Sequence, residues 1–193
     1  KEMQDLGLVE KIEPHMNRVG VSYRSKAVIE PYMSKQWFVR MSSFADKMRS
    51  AVVQERTKII PKNWESTYFH WIDNLRDWCI SRQRAWGTPL TLFVNKETGT
   101  LLRDPVVHAR IVEIIAREGA DAWFTTPAQT FLGDAYKAED FEQIMDVIDV
   151  WLDSGCTHAF VLEKRPELKW PADVYFEGSD QHRGWFQSSL WHS

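Results

Sequence analysis

The sequence predicts an α/β fold, and three observations carry that expectation. An apolar stretch, Val174-Tyr175-Phe176, reads as a strand running into Glu177-Gly178-Ser179-Asp180-Gln181, after which a helix opens on His182-Arg183-Gly184-Trp185. A strand, a glycine-containing turn and a helix start form the arrangement with which an open α/β sheet presents its ligand crevice, beyond the carboxyl ends of the strands. Upstream, Leu90–Val94 reads as a strand and Asp104–Gly119 as a capped helix, so both element types recur along the chain. Composition agrees: with 44% hydrophobic and 26% charged residues among 193, the chain is globular in character rather than disordered.

Each element has its own local reasons. From Leu6 to about Val39 the pattern is of short strands. Val19-Gly20-Val21 and Ala27-Val28-Ile29 alternate with polar residues, and Pro14 and Pro31 punctuate them. Phe44, Met48 and Val52 stand at i, i+4 and i+8 on one helix face. Asn63 is the expected N-cap of a second helix that aligns Trp64, Tyr68, Trp71 and Leu75, a stripe that reads as core packing. Asp77–Arg84 is a polar run. Leu90–Val94 is a strand and Asn95–Gly99 its hairpin turn. In the next helix, Asp104 caps, Pro105 takes the first helical position, Val107, Ile111 and Ile114 face inward, and Gly119 ends it. Thr126–Gly133 and Ala138–Met145 read as two further short helices. No internal repeat or low-complexity stretch is visible.

Several function classes are disfavoured. A net charge of −3 gives no broad electrostatic footprint for nucleic acid, so any such partner needs local patches. Cys79 and Cys156 are far apart, match no zinc spacing and fit a reducing, cytoplasmic setting. No signal peptide or apolar run of membrane-spanning length is present, so neither a membrane nor a metal is expected as a partner from the residues alone. Ten Trp is several times ordinary usage and suits large apolar or stacking surfaces.

The chemistry concentrates in residues 177–185. Carboxylates there can accept from ribose hydroxyls or an ammonium group, and Trp185 offers a flat apolar wall, so the segment suits a polar, nucleotide-sized ligand. The competing reading is an ordinary capped helix after a strand, with Trp185 in the core and Asp180 favouring the helix macrodipole. For Arg82 and Arg84 the alternatives are a contact with phosphate, that of a nucleic-acid end included, and a solvated helix end.

Glu177–Trp185 (EGSDQHRGW) with Phe186, the upstream Trp151–Gly155 (WLDSG), and Asp77–Gly87 (DWCISRQRAWG) resemble, in that family's order, the class I aminoacyl-tRNA synthetases that charge branched aliphatic amino acids. The isoleucyl enzymes are nearest. The resemblance covers essentially the whole chain and is most specific in its last fifty or so residues. It implies that residues 1–38 are the tail of the editing insertion with its return ribbon. Residues 39–87 would be a helical segment re-entering the catalytic domain, 88–145 a small α/β connective insertion, and 146–193 part of a Rossmann-like catalytic domain holding the amino acid and adenylate pocket. In that family an amino acid carboxylate attacks the α-phosphorus of ATP, and the aminoacyl group then passes to the terminal ribose of tRNA.

Carried over residue by residue, the resemblance makes Trp151 and Trp185 the two indoles flanking the amino acid side chain. Glu177 and Gly178 become the turn along the adenylate, Asp180 the acceptor from the ribose hydroxyls, and Gln181 an adjacent polar contact to the aminoacyl adenylate. His182 and Arg183 belong to the motif without an assigned role. The implied substrates and partners are isoleucine, ATP with Mg2+, and tRNA(Ile), with a monomeric parent in the cytoplasm.

Nothing in the sequence matches the family's HIGH signature, KMSKS loop, threonine-rich editing pocket or anticodon-binding domain, so the chain reads as a piece of a larger enzyme with no catalytic residue of its own. Arg18–Met41 and Trp64–Gln83 look closer to valyl enzymes, whereas from Arg84-Ala85-Trp86-Gly87 onward the sequence looks isoleucyl. Leu152 stands where the family usually has an aromatic residue, and Cys156 where it usually has Ser. Three readings therefore stand: part of an isoleucine enzyme, part of a valine enzyme, and a non-catalytic module that uses a synthetase-like surface to hold tRNA or protein.

Overall fold

A computed structural model describes residues 1–192. The chain divides into two compact units, Lys1–Lys35 and one that begins at Gln36.

In the first unit, helix α1 (Glu2–Asp5) is a single turn. The strands expected around Val19–Val21 and Ala27–Ile29 shrink to one antiparallel bridge, Val21 to Val28. Its turn is closed by Ser22 N–H donating to the Ala27 carbonyl at 2.9 Å and Lys26 N–H to the Ser22 carbonyl at 2.8 Å, with Lys26 at φ 60°. Val21 and Val28 are both exposed, so no buried face within the unit extends the ladder.

Among the described residues the second unit contains three two-stranded antiparallel sheets. Strand β1 (Phe38–Val39) pairs with β2 (Trp78–Cys79), β3 (Ser81–Arg82) with β6 (Val147–Ile148), and β4 (Phe93–Asn95) with β5 (Phe141–Gln143). Helix α2 (Ser42–Val53) forms on the expected face, with Met48 and Val52 buried. Helix α3 (Glu65–Asp73) begins later than the sequence predicts: Lys62–Trp64 form a 3-10 turn, and Asn63 contributes only its carbonyl, to the Ser66 hydroxyl at 3.1 Å. The residue buried deepest in α3 is Ile72, while Trp64 remains exposed at the outer end of the aromatic stripe.

Residues 90–144 form the best-packed part. Helix α4 (Pro105–Glu118) is capped by Asp104, whose carboxylate accepts from Val106 N–H at 2.7 Å, and buries Val107, Ile111 and Ile114 as the periodicity requires. Gly119 ends it at φ 87°, in the left-handed region that favours glycine. Short helices α5 (Ala122–Thr125) and α6 (Ala128–Leu132) bring Trp123, Phe131 and Leu132 beneath α4, where all three are completely buried against Phe93. The Asn95 side chain closes the expected hairpin turn by accepting from Thr98 N–H at 2.8 Å and Glu97 N–H at 3.0 Å.

Two sequence expectations are overturned. Ala138–Met145 is not a helix: after a 3-10 turn at Ala138–Asp140 the chain becomes β5, because β4 needs a ladder partner and β5 supplies it. Val174–Phe176 is not a strand. No partner strand lies beside it among the described residues, and Val174 and Phe176 are 76% and 88% exposed. All strand pairs among the described residues are antiparallel, so the described fold is mixed α/β with small sheets.

Candidate functional site

Three pieces of backbone build the site: helix α7 (Val150–Gly155), the 3-10 turn Ser179–Arg183, and helix α8, which starts at Trp185 and includes His192. Asp149 starts α7 by accepting from Trp151 N–H at 3.1 Å, which satisfies one of the helix's unpaired amides. Gly155 lets α7 approach α8. A Cβ there would stand 3.0 Å from both the backbone carbon and the Cβ of Ser188, itself buried. The Trp185 indole N–H donates to the Ser154 carbonyl at 2.9 Å and ties the two helices together.

The turn is organised by Gln181. Its N–H donates to the Gly178 carbonyl at 3.1 Å, and its side-chain oxygen accepts from Trp185 N–H at 2.9 Å, which caps the start of α8. Between Gln181 and Trp185 lies buried Gly184, where a Cβ would meet the Gln181 Oε1 at 2.5 Å and the Trp151 ring at 2.9 Å. Trp151, Gln181, Gly184 and Trp185 are thus brought into one cluster. Tyr175 lies over the Trp185 ring at 4.1 Å between centroids and shares a hydrogen bond of 2.6 Å with the Ser189 hydroxyl.

Glu177, Gly178 and Asp180 line the exposed side of the same turn. Glu177 accepts from Gly178 N–H at 3.0 Å, and Asp180 from the Gln181 amide at 3.4 Å, so both carboxylates stay solvated and available to an external donor. His182 and Arg183 face helix α3. The His182 ring stacks at 6.1 Å and 15° on Trp64 and meets Trp71 at 5.3 Å, and the Arg183 guanidinium lies 5.5 Å from the Trp71 ring centre. The aromatic stripe of α3 therefore holds the motif in place through these two residues.

Arg82 pairs with Asp149 and also donates to the Cys79 and Ser81 carbonyls, each at 2.8 Å. Arg84 is exposed. Both line a cavity of about 580 Å³, together with Trp86, Asp121 and Asp153. None of Trp151, Glu177, Gly178, Asp180, Gln181 or Trp185 lines it, although Asp149, Val150 and Asp153 at the start of α7 do, so the cavity adjoins the motif cluster without including it. The cluster is the better candidate, because convergent polar groups and flat rings occur there together. Near the cluster, burial first and the Asp153 carboxylate second push the Cys156 thiol above its ordinary range. Among the described residues no group of three or more His, Cys, Asp or Glu side chains is gathered to hold a metal. No described helix is long and apolar enough to cross a membrane.

Residues 9–193 match the family described as tRNA synthetases class I (I, L, M and V). The chain belongs to that family. Among its relatives, the isoleucine–tRNA ligase of Pelagibacter ubique is 50% identical over 88% of this chain. That of Caulobacter vibrioides is 48% identical over 95%, and that of Zymomonas mobilis 46% identical over 88%. The chain spans 19% of the length of each of these relatives. The Caulobacter match takes in nearly all of this synthetase chain, including the front part that looks valyl in sequence.

Gly155, Ser188, Gly184 and Asp149 also shape the site; the sequence places Gly155 at the turn that aims Trp151 and Gly184 inside the Glu177–Trp185 motif, but assigns Ser188 and Asp149 no part in it. Gly155 and Asp149 lie close to Trp151 in sequence and are legible as a small residue and a cap. The contacts of Ser188 and Gly184 join residues more than thirty positions apart, and no local pattern shows them.

Proposed function

We propose that this chain is the part of an isoleucine–tRNA ligase that forms the amino acid side of the adenylate pocket. The observation that carries the reading is that both indoles stand beside the Glu177–Gln181 turn, the Trp151 ring against Gly184 and the Trp185 indole tied to the Ser154 carbonyl at 2.9 Å. Flat apolar walls suit a side chain recognised by shape alone, where one methylene is worth only about 1–3 kcal/mol and selectivity depends on wall placement. Glu177 and Gly178 would run along the adenylate, Asp180 would accept from its ribose hydroxyls, and Gln181 would contact the aminoacyl end while its own oxygen caps α8. Catalysis in this reading is positioning and charge placement, with no covalent step assigned to a residue of this chain.

The same reading makes residues 146–193 part of a Rossmann-like domain, 88–145 a connective insertion, 39–87 the returning helical segment and 1–38 the tail of the editing insertion. Isoleucine, ATP and tRNA(Ile) are the proposed substrates of the whole enzyme, in the cytoplasm and as a monomer. Arg84, exposed beside Trp86, is the better placed of the two arginines for a tRNA phosphate, because the Arg82 guanidinium is engaged by Asp149. Lacking HIGH and KMSKS sequences, the 193-residue chain alone should activate no amino acid.

Calorimetric titration of a non-hydrolysable isoleucyl-adenylate analogue into a full-length ligase carrying this chain tests the reading. Trp185→Ala and Asp180→Ala should each weaken binding at least about tenfold, the loss of one good contact. Unchanged affinity in both variants would remove it.

A further inference from the structure

We propose that Asp149 is a positioning residue for the amino acid pocket, setting the aim of Trp151 through the start of helix α7. The inference rests on the reading of Trp151 as a pocket wall. The Asp149 side chain is only 8% exposed, and both of its oxygens are engaged. One oxygen accepts from Trp151 N–H at 3.1 Å. The other accepts from the Trp78 indole N–H at 3.1 Å and from the Arg82 guanidinium. The Asp149 backbone N–H in turn donates to the Ile80 carbonyl at 2.7 Å. Trp78 also packs edge-on against Trp191 of α8, with centroids 4.9 Å apart.

This carboxylate therefore fastens the first turn of α7 to β2, β3 and, through Trp78, to α8. Three N–H donors converge on its two oxygens. Trp151 is the second residue of α7, so its direction depends on where the helix begins. Shifting that start by one residue would turn the indole by about 100° around the helix axis. Displacing a wall by even about 1 Å costs on the order of a hundredfold when geometry decides the rate. Asp149 touches neither proposed substrate; it acts through Trp151.

The test uses amino-acid-dependent ATP–pyrophosphate exchange by the full-length ligase carrying this chain, measuring KM for isoleucine and for ATP separately. Asp149→Ala should raise KM for isoleucine at least about tenfold while KM for ATP stays within about twofold, a split that general loss of folded protein does not produce. Asp149→Ser, which keeps a helix cap but not the tie to Trp78 and Arg82, should recover part of that loss. If Asp149→Ala does not fold, Asp149→Ser and Asp149→Asn carry the comparison, each expected to raise KM for isoleucine alone. An unchanged KM for isoleucine, an equal rise in both KM values, or a Ser variant no better than Ala would overturn the proposal. Trp151→Ala runs alongside. If it leaves KM for isoleucine unchanged, the pocket reading itself fails; if it raises that KM while the Asp149 variants behave like the unaltered enzyme, only the positioning role fails.

Discussion

Gly184 and Trp151 are in contact with no room for a side chain between them: a Cβ on Gly184 would stand 2.9 Å from the tip of the Trp151 ring and 2.5 Å from the Gln181 oxygen. Gly184 has a negative φ of −127°, and the requirement for glycine here is one of space. Gly184→Ala should push Trp151 outward and free Gln181 from the start of α8. In the full-length ligase the expected outcome is at least a tenfold (about 1.4 kcal/mol) loss in kcat/KM for isoleucine with little change in melting temperature. Exchange kinetics beside thermal unfolding check both halves.

The Trp123 ring is completely buried, and its N–H donates to the Ile144 carbonyl at 2.7 Å. Trp123→Phe keeps most of the apolar volume but orphans that carbonyl, and should cost about 1–3 kcal/mol. Trp123→Ala should cost about 3–5 kcal/mol through the cavity it leaves among Phe93, Ile111 and Phe131. Denaturant unfolding of the chain measures both, and near-equal losses would contradict the packing described.

Asp104 and Tyr136 are linked by a hydrogen bond of 2.8 Å. The Tyr136 hydroxyl, and then Val106 N–H, hold the Asp104 carboxyl below its ordinary range, while Asp104 raises the Tyr136 phenol. The depressed Asp104 contributes stability above the unfolded carboxylate range, near about 3.9, and that contribution disappears as pH falls through the lower folded value. The raised Tyr136 contributes below the unfolded phenol value of about 10, and its contribution is lost as pH rises through the folded one. Asp104→Asn should therefore bring the Tyr136 ultraviolet titration down toward that of free tyrosine, lower stability at neutral pH and flatten the further loss on acidification. A Tyr136 titration indifferent to the substitution would show that the bond does not persist in solution.

Cys156 has its thiol raised by burial and by the nearby Asp153 carboxylate. Since the thiolate is the nucleophile, iodoacetamide at neutral pH should label Cys156 more slowly than glutathione, and Asp153→Asn should speed the labelling. Mass spectrometry of the modified peptide reads both rates.

Helix α4 is legible in the sequence because every signal for it is local: Asp104 as cap, Pro105 at the first position, the spacing of Val107, Ile111 and Ile114, and Gly119 at the end. Residues 141–143 are not, since Ala138-Glu139-Asp140 and Glu142-Gln143 favour helix locally and pairing with Phe93–Asn95 overrides them. Val174–Phe176 fails in the opposite sense: its β-prone residues have no strand to pair with among the described residues. At the site, the motif names Trp151, Gln181 and Trp185, and the structure brings them together. How they meet depends on Gly155 against Ser188 and Gly184 against Trp151, close approaches between distant parts of the chain that periodicity and capping rules do not encode.

The pocket assignment is tested most directly by amino-acid-dependent ATP–pyrophosphate exchange in a full-length ligase carrying this chain, with isoleucine and valine compared in the unaltered enzyme and in Trp185→Ala and Asp180→Ala. Exchange should prefer isoleucine and fall at least about a hundredfold in both variants, as loss of a positioned contact at a reacting centre requires. A preference for valine, or exchange untouched by the two substitutions, would contradict it.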